Sequence, residues 1–120
     1  MTINEVLDTL EIIKPHGFPR KLLVSELQRL DGRVAAELMP SGTAMSVYDA
    51  ENGDALLMVP EPYDLMYLHY CCARVDFWNG EIERYNSDVT MFSEVWNAYA
   101  AWVMRSGKGT SGTGGKRVLM

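Results

Sequence analysis

Residues 81–105 read EIERYNSDVTMFSEVWNAYAAWVMR, a stretch that contains no proline or glycine and directly follows Gly80. Its large apolar residues recur at alternating steps of three and four, which is the spacing of one face of a helix. These residues are Ile82, Tyr85, Val89, Phe92, Trp96, Tyr99 and Val103. At 1.5 Å per residue such a helix is about 37 Å long. We therefore expect one long C-terminal helix against which shorter elements pack.

Two helices are predicted in the first third of the chain. The first, about residues 2–13, begins with Thr2 and Glu5, which have the spacing of a capping box. The second follows Pro19, a residue suited to a first helical turn, and carries one leucine-rich face. It contains Gly32, which weakens a helix by ~1 kcal/mol relative to alanine. That glycine predicts either a close approach by a neighbouring helix or a break.

Residues 43–59 differ in character from the segments on either side. A polar loop containing Asn52 and Gly53 separates two apolar runs, which is typical of a β-hairpin. Because an isolated two-stranded hairpin is marginal in water, we expect this one to pack on the helices or on another subunit.

A third helix is predicted at about residues 62–79. Asn79 and Gly80 supply a left-handed C-cap and the long helix begins at once, so the two helices should form an antiparallel hairpin. The fold class that follows is all-α. It is a small bundle of about four helices in one domain, residues 1–105, with a β-hairpin-like loop inserted at residues 43–59.

Residues 106–120 have a different composition, rich in glycine and without any acidic residue. Such a segment cannot supply a core, so we expect a flexible basic arm that orders on a partner. The residues expected to bind that partner are its basic and apolar ones. They are Lys108, Lys116, Arg117, Val118, Leu119 and Met120.

Charge and length narrow the class of protein. The 120 residues carry a formal net charge of −5, and residues 1–104 hold seven basic against sixteen acidic residues. An acidic body of this kind repels free nucleic acid. No apolar run approaches the ~18 residues of a membrane span, and the acidic N-terminal stretch lacks the features of a secretory signal. We therefore expect synthesis in the cytoplasm and no membrane partner.

The residues that could carry chemistry are few. His69 and Cys72 are three apart on a predicted helix, but a closed zinc site needs four ligands and the only other histidine is His16. The adjacent Cys71 and Cys72 are expected to be small buried hydrophobes in a reducing compartment. The sequence therefore predicts no catalytic, cofactor-binding or metal-binding residue, and no cofactor.

Aromatic residues are abundant, with three tryptophans and six tyrosines. Four of them, Tyr63, Tyr67, Tyr70 and Trp102, cannot all lie inside so small a bundle. Aromatic residues left at a surface are enriched in protein–protein contacts, so we expect these four to contact other subunits. The alternative for each of them is partial burial at the rim of the bundle.

Four segments form a distinctive set when they are considered together. They read LQRLDGRVAAELM (residues 27–39), VPEPYDLMY (59–67), DFWNGEIERYN (76–86) and MFSEVWNAYAAW (91–102). In this order they resemble small phage and prophage proteins of the head–tail connector, or head-completion adaptor, type. The resemblance covers about residues 2–105.

The resemblance implies a structural virion protein and not an enzyme. Proteins of this type are helical bundles that form a homo-oligomeric ring, usually of twelve subunits, beneath the portal protein. They extend the channel through which DNA passes without specific binding, and they provide a docking surface for the tail or the next head-completion protein. C-terminal arms in such proteins reach the portal. The expected location is therefore the virion, after synthesis in the host cytoplasm.

Two other functions stay open at this point. The first is a small phage-encoded regulatory protein that covers and inhibits a host protein with its aromatic face. The second is an enzyme or metal protein that uses His69 and Cys72, which the missing second ligand pair disfavours.

Overall fold

A computed structural model of the chain describes residues 1–107. It contains four helices, α1 (Ile3–Ile13), α2 (Arg20–Leu38), α3 (Leu65–Trp78) and α4 (Ile82–Ser106), and the described residues include no strand. The predicted all-α bundle of four helices is confirmed. At 25 residues, α4 is the long C-terminal helix that the apolar spacing predicts. It extends through Ser106, so that residue belongs to the helix and not to the predicted arm.

The start of α1 has the predicted capping box. The Thr2 hydroxyl accepts from the Glu5 N–H at 3.1 Å, and the Glu5 carboxylate accepts from the Thr2 N–H at 2.8 Å. These two bonds satisfy backbone donors that the first helical turn leaves without partners. The apolar face of α1 is fully buried. It consists of Ile3, Val6, Leu7 and Leu10.

Helix α2 runs unbroken through Gly32. A Cβ atom built at Gly32 would meet nothing within 4 Å, so no neighbouring helix approaches closely there. Both explanations that the sequence suggests for this glycine are therefore wrong. The face of α2 toward the core buries Leu23, Val24, Leu27, Leu30 and Val34.

Helices α3 and α4 form the predicted antiparallel hairpin. Gly80 has a φ of +75°, a conformation that glycine adopts at no steric cost. The N–H of Gly80 donates to the carbonyl of Phe77 at 3.1 Å, and the N–H of Glu81 donates to the carbonyl of Asp76 at 2.8 Å. These bonds end α3 and reverse the chain within three residues.

The prediction of a β-hairpin at residues 43–59 is wrong, since this segment is an irregular loop that pairs with the N-terminus. Ile3 N–H donates to Ala55 O at 3.1 Å, and Asn4 N–H donates to Gly53 O at 2.8 Å. An isolated bridge joins Thr2 to Leu56. The first turn of α1 needs acceptors for its free N–H groups, and the loop carbonyls supply them. These hydrogen bonds to the distant N-terminus help to fix the conformation of the loop.

Candidate interaction surfaces

Three pairs of aromatic rings connect α3, and the turn before it, to α4. Each residue of a pair lies seven positions from its counterpart in the next pair, so the rings form rungs at every second helical turn. We call these six residues the aromatic ladder. They are Tyr63 with Tyr99, Tyr70 with Phe92, and Phe77 with Tyr85, at centroid distances of 5.5, 5.5 and 5.4 Å.

We call the Tyr63–Tyr99 pair the base rung and the Phe77–Tyr85 pair the top rung. Burial of the rings decreases from the base rung to the top rung. Tyr99, on the base rung, is 2 % exposed, whereas Phe77, on the top rung, is 49 % exposed. Beside the top rung, Ile82 is 57 % exposed although it continues the same apolar spacing of α4. The last four of the seven spaced apolar residues of α4 are buried and the first three are not. The hairpin therefore presents an apolar, aromatic end to solvent.

A small groove lies between the middle and top rungs. We call it the ladder groove. Its lining residues are Tyr70, Ala73, Arg74, Tyr85, Val89 and Phe92. Its volume of about 160 Å³ is below the ~300 Å³ at which small-molecule pockets begin, so it fits a protein side chain better than a cofactor.

An arginine that is paired with a buried glutamate lies at the edge of the ladder groove. The guanidinium of Arg74 lies 5.1 Å from the ring centroid of Phe77, a cation–π contact, and its Nε is 3.4 Å from a carboxylate oxygen of Glu26. Burial raises the pKa of Tyr70 and Glu26 raises it further, while Arg74 and Arg29 act in the opposite direction. The tyrosine that lines the groove is therefore influenced more by the Glu26 carboxylate than by either arginine.

A second surface depends on a buried carboxylate in α2. Asp31 is 0 % exposed, and its Oδ1 accepts from the Tyr67 hydroxyl at 2.5 Å. Its Oδ2 accepts from the Tyr48 hydroxyl and from the Met58 N–H. Burial, together with the Asp31 carboxylate, raises the pKa of both tyrosines, so both hydroxyls stay protonated and donate. This network fixes the loop of residues 43–59 to the interior.

Tyr67 is consequently not at the surface, and the prediction that it contacts another subunit is wrong. Its ring is 0 % exposed, and its hydroxyl also accepts from the Val59 N–H at 2.8 Å. Asp31 is the residue that sequence reasoning missed. It lies four residues after Leu27 and three before Val34 on the apolar face of α2, and a charged residue in such a position was the available signal.

The other three residues predicted to contact subunits are half-buried along the ladder. Tyr63 and Tyr70 form parts of the base and middle rungs. The ring of Trp102 lies 5.7 Å from Tyr63 and 6.0 Å from Tyr99, so it packs against the base rung. Their role in subunit contacts stays a prediction.

Gln28 of α2 holds part of the loop at the surface. Its side-chain amide donates to the carbonyl of Ser46 at 3.1 Å and accepts from the N–H of Tyr48. Between these two bonds the side chain of Val47 is 89 % exposed. We call residues 47–51 the acidic knob, because the exposed Asp49 and Glu51 follow this valine.

A third polar cluster lies under the top of the hairpin. Asp76 of α3 is 2 % exposed, and its Oδ2 is 3.0 Å from the Lys14 ammonium at the end of α1. Burial and a hydrogen bond with Asp76 raise the pKa of Asp88 to about 7. Although burial acts to raise it, the pKa of Asp76 is lowered by hydrogen bonds from Asp88 and Lys14. Asp88 therefore holds a proton more readily than a free carboxyl group, while Asp76 favours its ionised form beside the Lys14 ammonium.

The cysteines are free and buried, as predicted. Burial raises the pKa of the Cys71 thiol and raises that of Cys72 to about 11, so neither is an activated nucleophile. His69 is half-buried and burial lowers its pKa. Over residues 1–107 no group of three or more histidine, cysteine or acidic side chains is arranged to hold a metal ion.

The remaining predicted residues belong to the arm. They are Lys108, Lys116, Arg117, Val118, Leu119 and Met120, and they lie outside the described residues. The described chain ends at Gly107, which caps α4 with a φ of +73°.

Neither the helices of the described chain nor comparison with known proteins points to a particular function. Within the described part of the chain, no helix is both long enough and apolar enough to cross a membrane. Comparison of the chain with models of protein families, with curated proteins and with solved structures finds no match. Function must therefore be inferred from the surfaces themselves and from the motifs quoted above.

Proposed function

We propose that this protein is a structural virion component, a head–tail connector or adaptor that assembles as a ring. The ring docks on the portal protein and extends the DNA channel toward the tail. The observation that carries this proposal is the α3–α4 hairpin, a rigid element with a 25-residue helix whose aromatic end lies at the surface. Long rigid helices placed side by side are suited to building the wall of a tube.

The two exposed surfaces support a ring more than a symmetric dimer. The ladder groove is formed by α3 and α4, whereas the acidic knob is part of the loop at residues 43–59. Two different surfaces on one subunit allow head-to-tail contacts, and such contacts close into a ring when the rotation between subunits permits it.

The chemistry of the described residues also fits a structural role. Both oxygens of the buried Asp31 carboxylate accept hydrogen bonds that hold the loop. The buried thiols of Cys71 and Cys72 have raised pKa values. The acidic balance of residues 1–104 suits a channel wall past which DNA slides without binding. In this proposal the arm residues Lys108, Lys116 and Arg117 bind the portal.

A second candidate function is a small phage-encoded regulatory protein that binds and inhibits a host protein. Its support is the acidic knob, in which an exposed valine is followed by exposed carboxylates on a loop that is already ordered. A preordered loop of this kind suits insertion into a partner's cleft as well as it suits contact between subunits.

Co-expression with the portal protein of the same genome tests the proposal. We expect negative-stain images of the purified complex to show portal particles capped by a ring of this chain. We also expect mass spectrometry to find the chain in purified virions. Failure to bind the portal together with absence from virions would overturn the proposal. A stoichiometric complex with one host protein, in place of the portal complex, would establish the second candidate.

A further inference from the structure

The acidic knob presents an apolar side chain on a fixed support, at the rim of an open pocket that residues 47–51 line together with Lys21. Val47 is 89 % exposed, the highest value among the large apolar residues of the described chain. Gln28 holds the backbone on both sides of it, and Asp49 and Glu51 follow it at the surface. A loop that is ordered before it binds loses little conformational freedom on binding, so the knob is preorganised for a contact.

The ladder groove is complementary to the knob in size and in charge. It has aromatic walls and a volume of about 160 Å³, which suits one or two side chains. Arg74 lines it, and this arginine pairs with Glu26 through its Nε while 27 % of its side chain stays exposed. An apolar residue flanked by carboxylates therefore matches an apolar groove with a guanidinium at its edge.

We propose that the ladder groove of one copy receives the acidic knob of a second copy. Val47 enters between Tyr70 and Tyr85, and Asp49 and Glu51 approach Arg74 and Arg29. This contact deepens the proposed function, on which it rests, by assigning the residues through which neighbouring subunits of the ring meet.

The charge pattern selects this head-to-tail contact over a symmetric one. Two knobs placed together would oppose the carboxylates of both copies, whereas the groove of each copy already pairs Arg74 with Glu26. Like charges brought together at an interface cost free energy, so the knob-to-knob pairing is disfavoured, and a groove-to-groove pairing would gain no contact between unlike charges. Binding of a knob to a groove brings unlike charges together. A pair of copies joined in this way keeps one free knob and one free groove, to which further copies can bind.

Substitution of Val47 tests the knob. Val47→Ser should weaken self-association about tenfold or more, since it removes a side chain that becomes buried in the contact. Leu56→Ser is the matched control, because Leu56 is in the same loop and 73 % exposed but lies outside the knob. Sedimentation of the full chain, alone and on portal particles, measures the association. Equal behaviour of the two variants would overturn the proposal.

Disulfide trapping tests the partner surface. Val47→Cys and Val89→Cys proteins, mixed under mild oxidation on portal particles, should form a covalent dimer of one copy of each. Either variant alone should give much less dimer, and wild-type chain should give none, because Cys71 and Cys72 are buried. A mixture that gives no more dimer than the separate variants, on particles that carry a complete ring, would overturn the proposal.

The outcomes separate this contact from the function on which it rests. Complete rings on the portal with Val47→Ser, and no trapping, would refute the contact and leave the adaptor function standing. Absence of any ring with the wild-type chain would refute both. If removal of residues 108–120 abolishes self-association while Val47→Ser has no effect, the arm is the occupant of the groove and the knob is not.

Discussion

The base and the top of the α3–α4 hairpin have the same sequence pattern and opposite environments. At the base, Tyr99 and Val103 are buried. At the top, the equivalent spacing leaves Phe77 and Ile82 about half exposed, above the buried Asp76 and the partly buried Asp88. Apolar spacing thus specifies that a helix forms and which face is apolar. It does not specify what covers that face.

The difference arises from the elements that lie beneath each half. The base is covered by the end of α2 and by the loop, where Met39, Met58 and Pro60 line a small pocket with Trp102. The top rests on the end of α1, where Lys14 makes an ion pair with Asp76, and on Phe18, whose ring centroid lies 5.0 Å from that of Trp78. The base is therefore a hydrophobic core, and the top is a surface supported by buried charge. Substitutions that alter one end of the hairpin and not the other test this difference.

The largest effect is expected at the network that fixes the loop to the base. Asp31→Ala removes the acceptor of the Tyr48 and Tyr67 hydroxyls and of the Met58 N–H. The Tyr67 hydroxyl is buried and the other two donors are partly buried. A buried donor without a partner costs ~1–3 kcal/mol, so the unfolding free energy should fall by about 3 kcal/mol in total. Urea denaturation measures this change.

The control for Asp31→Ala is Asp8→Ala, since the Asp8 side chain is 71 % exposed and pairs with Arg20 at the surface. Exposed ion pairs contribute ~0–1 kcal/mol, so this variant should be close to wild type. Similar losses from the two variants would mean that the network does not anchor the loop.

The next prediction is a difference in unfolding free energy between the two ends of the ladder, measured with the same substitution at each end. Tyr99→Ala empties a core position and should lower unfolding free energy by about 3–5 kcal/mol. Tyr85→Ala removes a half-buried ring at the top and should cost about 2 kcal/mol less than that. Thermal or chemical denaturation of the two variants measures the difference. Equal losses of unfolding free energy would show that the top is as much a core as the base.

The sequence predicts the helices well because their signals are local. The spacing of apolar residues from Ile82 to Val103 and the capping pair Thr2 and Glu5 both lie within a few turns of the structure they determine. The joint between α3 and α4 was equally predictable, since Gly80 supplies the left-handed residue that a sharp reversal needs.

The loop and the candidate surfaces were less predictable because their partners are remote in the chain. Gly53 suits a hairpin turn, yet its carbonyl accepts from Asn4, and a Cβ on it would lie 2.0 Å from the Asn4 side chain. The burial of Tyr67 likewise depends on Asp31, 36 residues away. No local pattern contains such a pairing, so the hairpin and the surface position of Tyr67 were both predicted wrongly.

A smaller effect is expected from pH, and it concerns the top alone. The pKa of Asp88 rises from an ordinary 3.8 to about 7 on folding, so its contribution to stability is full below about pH 4 and is lost as pH rises through about 7. Asp88→Asn mimics the protonated form. At pH 8 the variant should be more stable than wild type by about 1 kcal/mol, after allowance for solvent screening of this partly exposed group.

Denaturation curves at pH 5 and pH 8 measure this effect. The lowered pKa of Asp76 acts in the opposite direction, since its contribution is present above pH 3.8 and is lost only at lower pH, outside this window. Wild type should lose stability between the two pH values while Asp88→Asn changes little. A parallel pH dependence of the two proteins would show that folding does not raise the pKa of Asp88.

The smallest effect on stability is expected from deletion of residues 108–120, which should weaken docking to the portal. The deletion retains Gly107, whose N–H caps α4 by donating to the Met104 carbonyl at 3.4 Å. Because the deleted segment is glycine-rich and basic, it should bury little apolar surface, and the melting temperature should stay within experimental error of wild type. Calorimetry and portal binding are measured on the same preparations. A large drop in melting temperature would assign the segment to the core of the base, and unchanged portal binding would remove the arm from the interface.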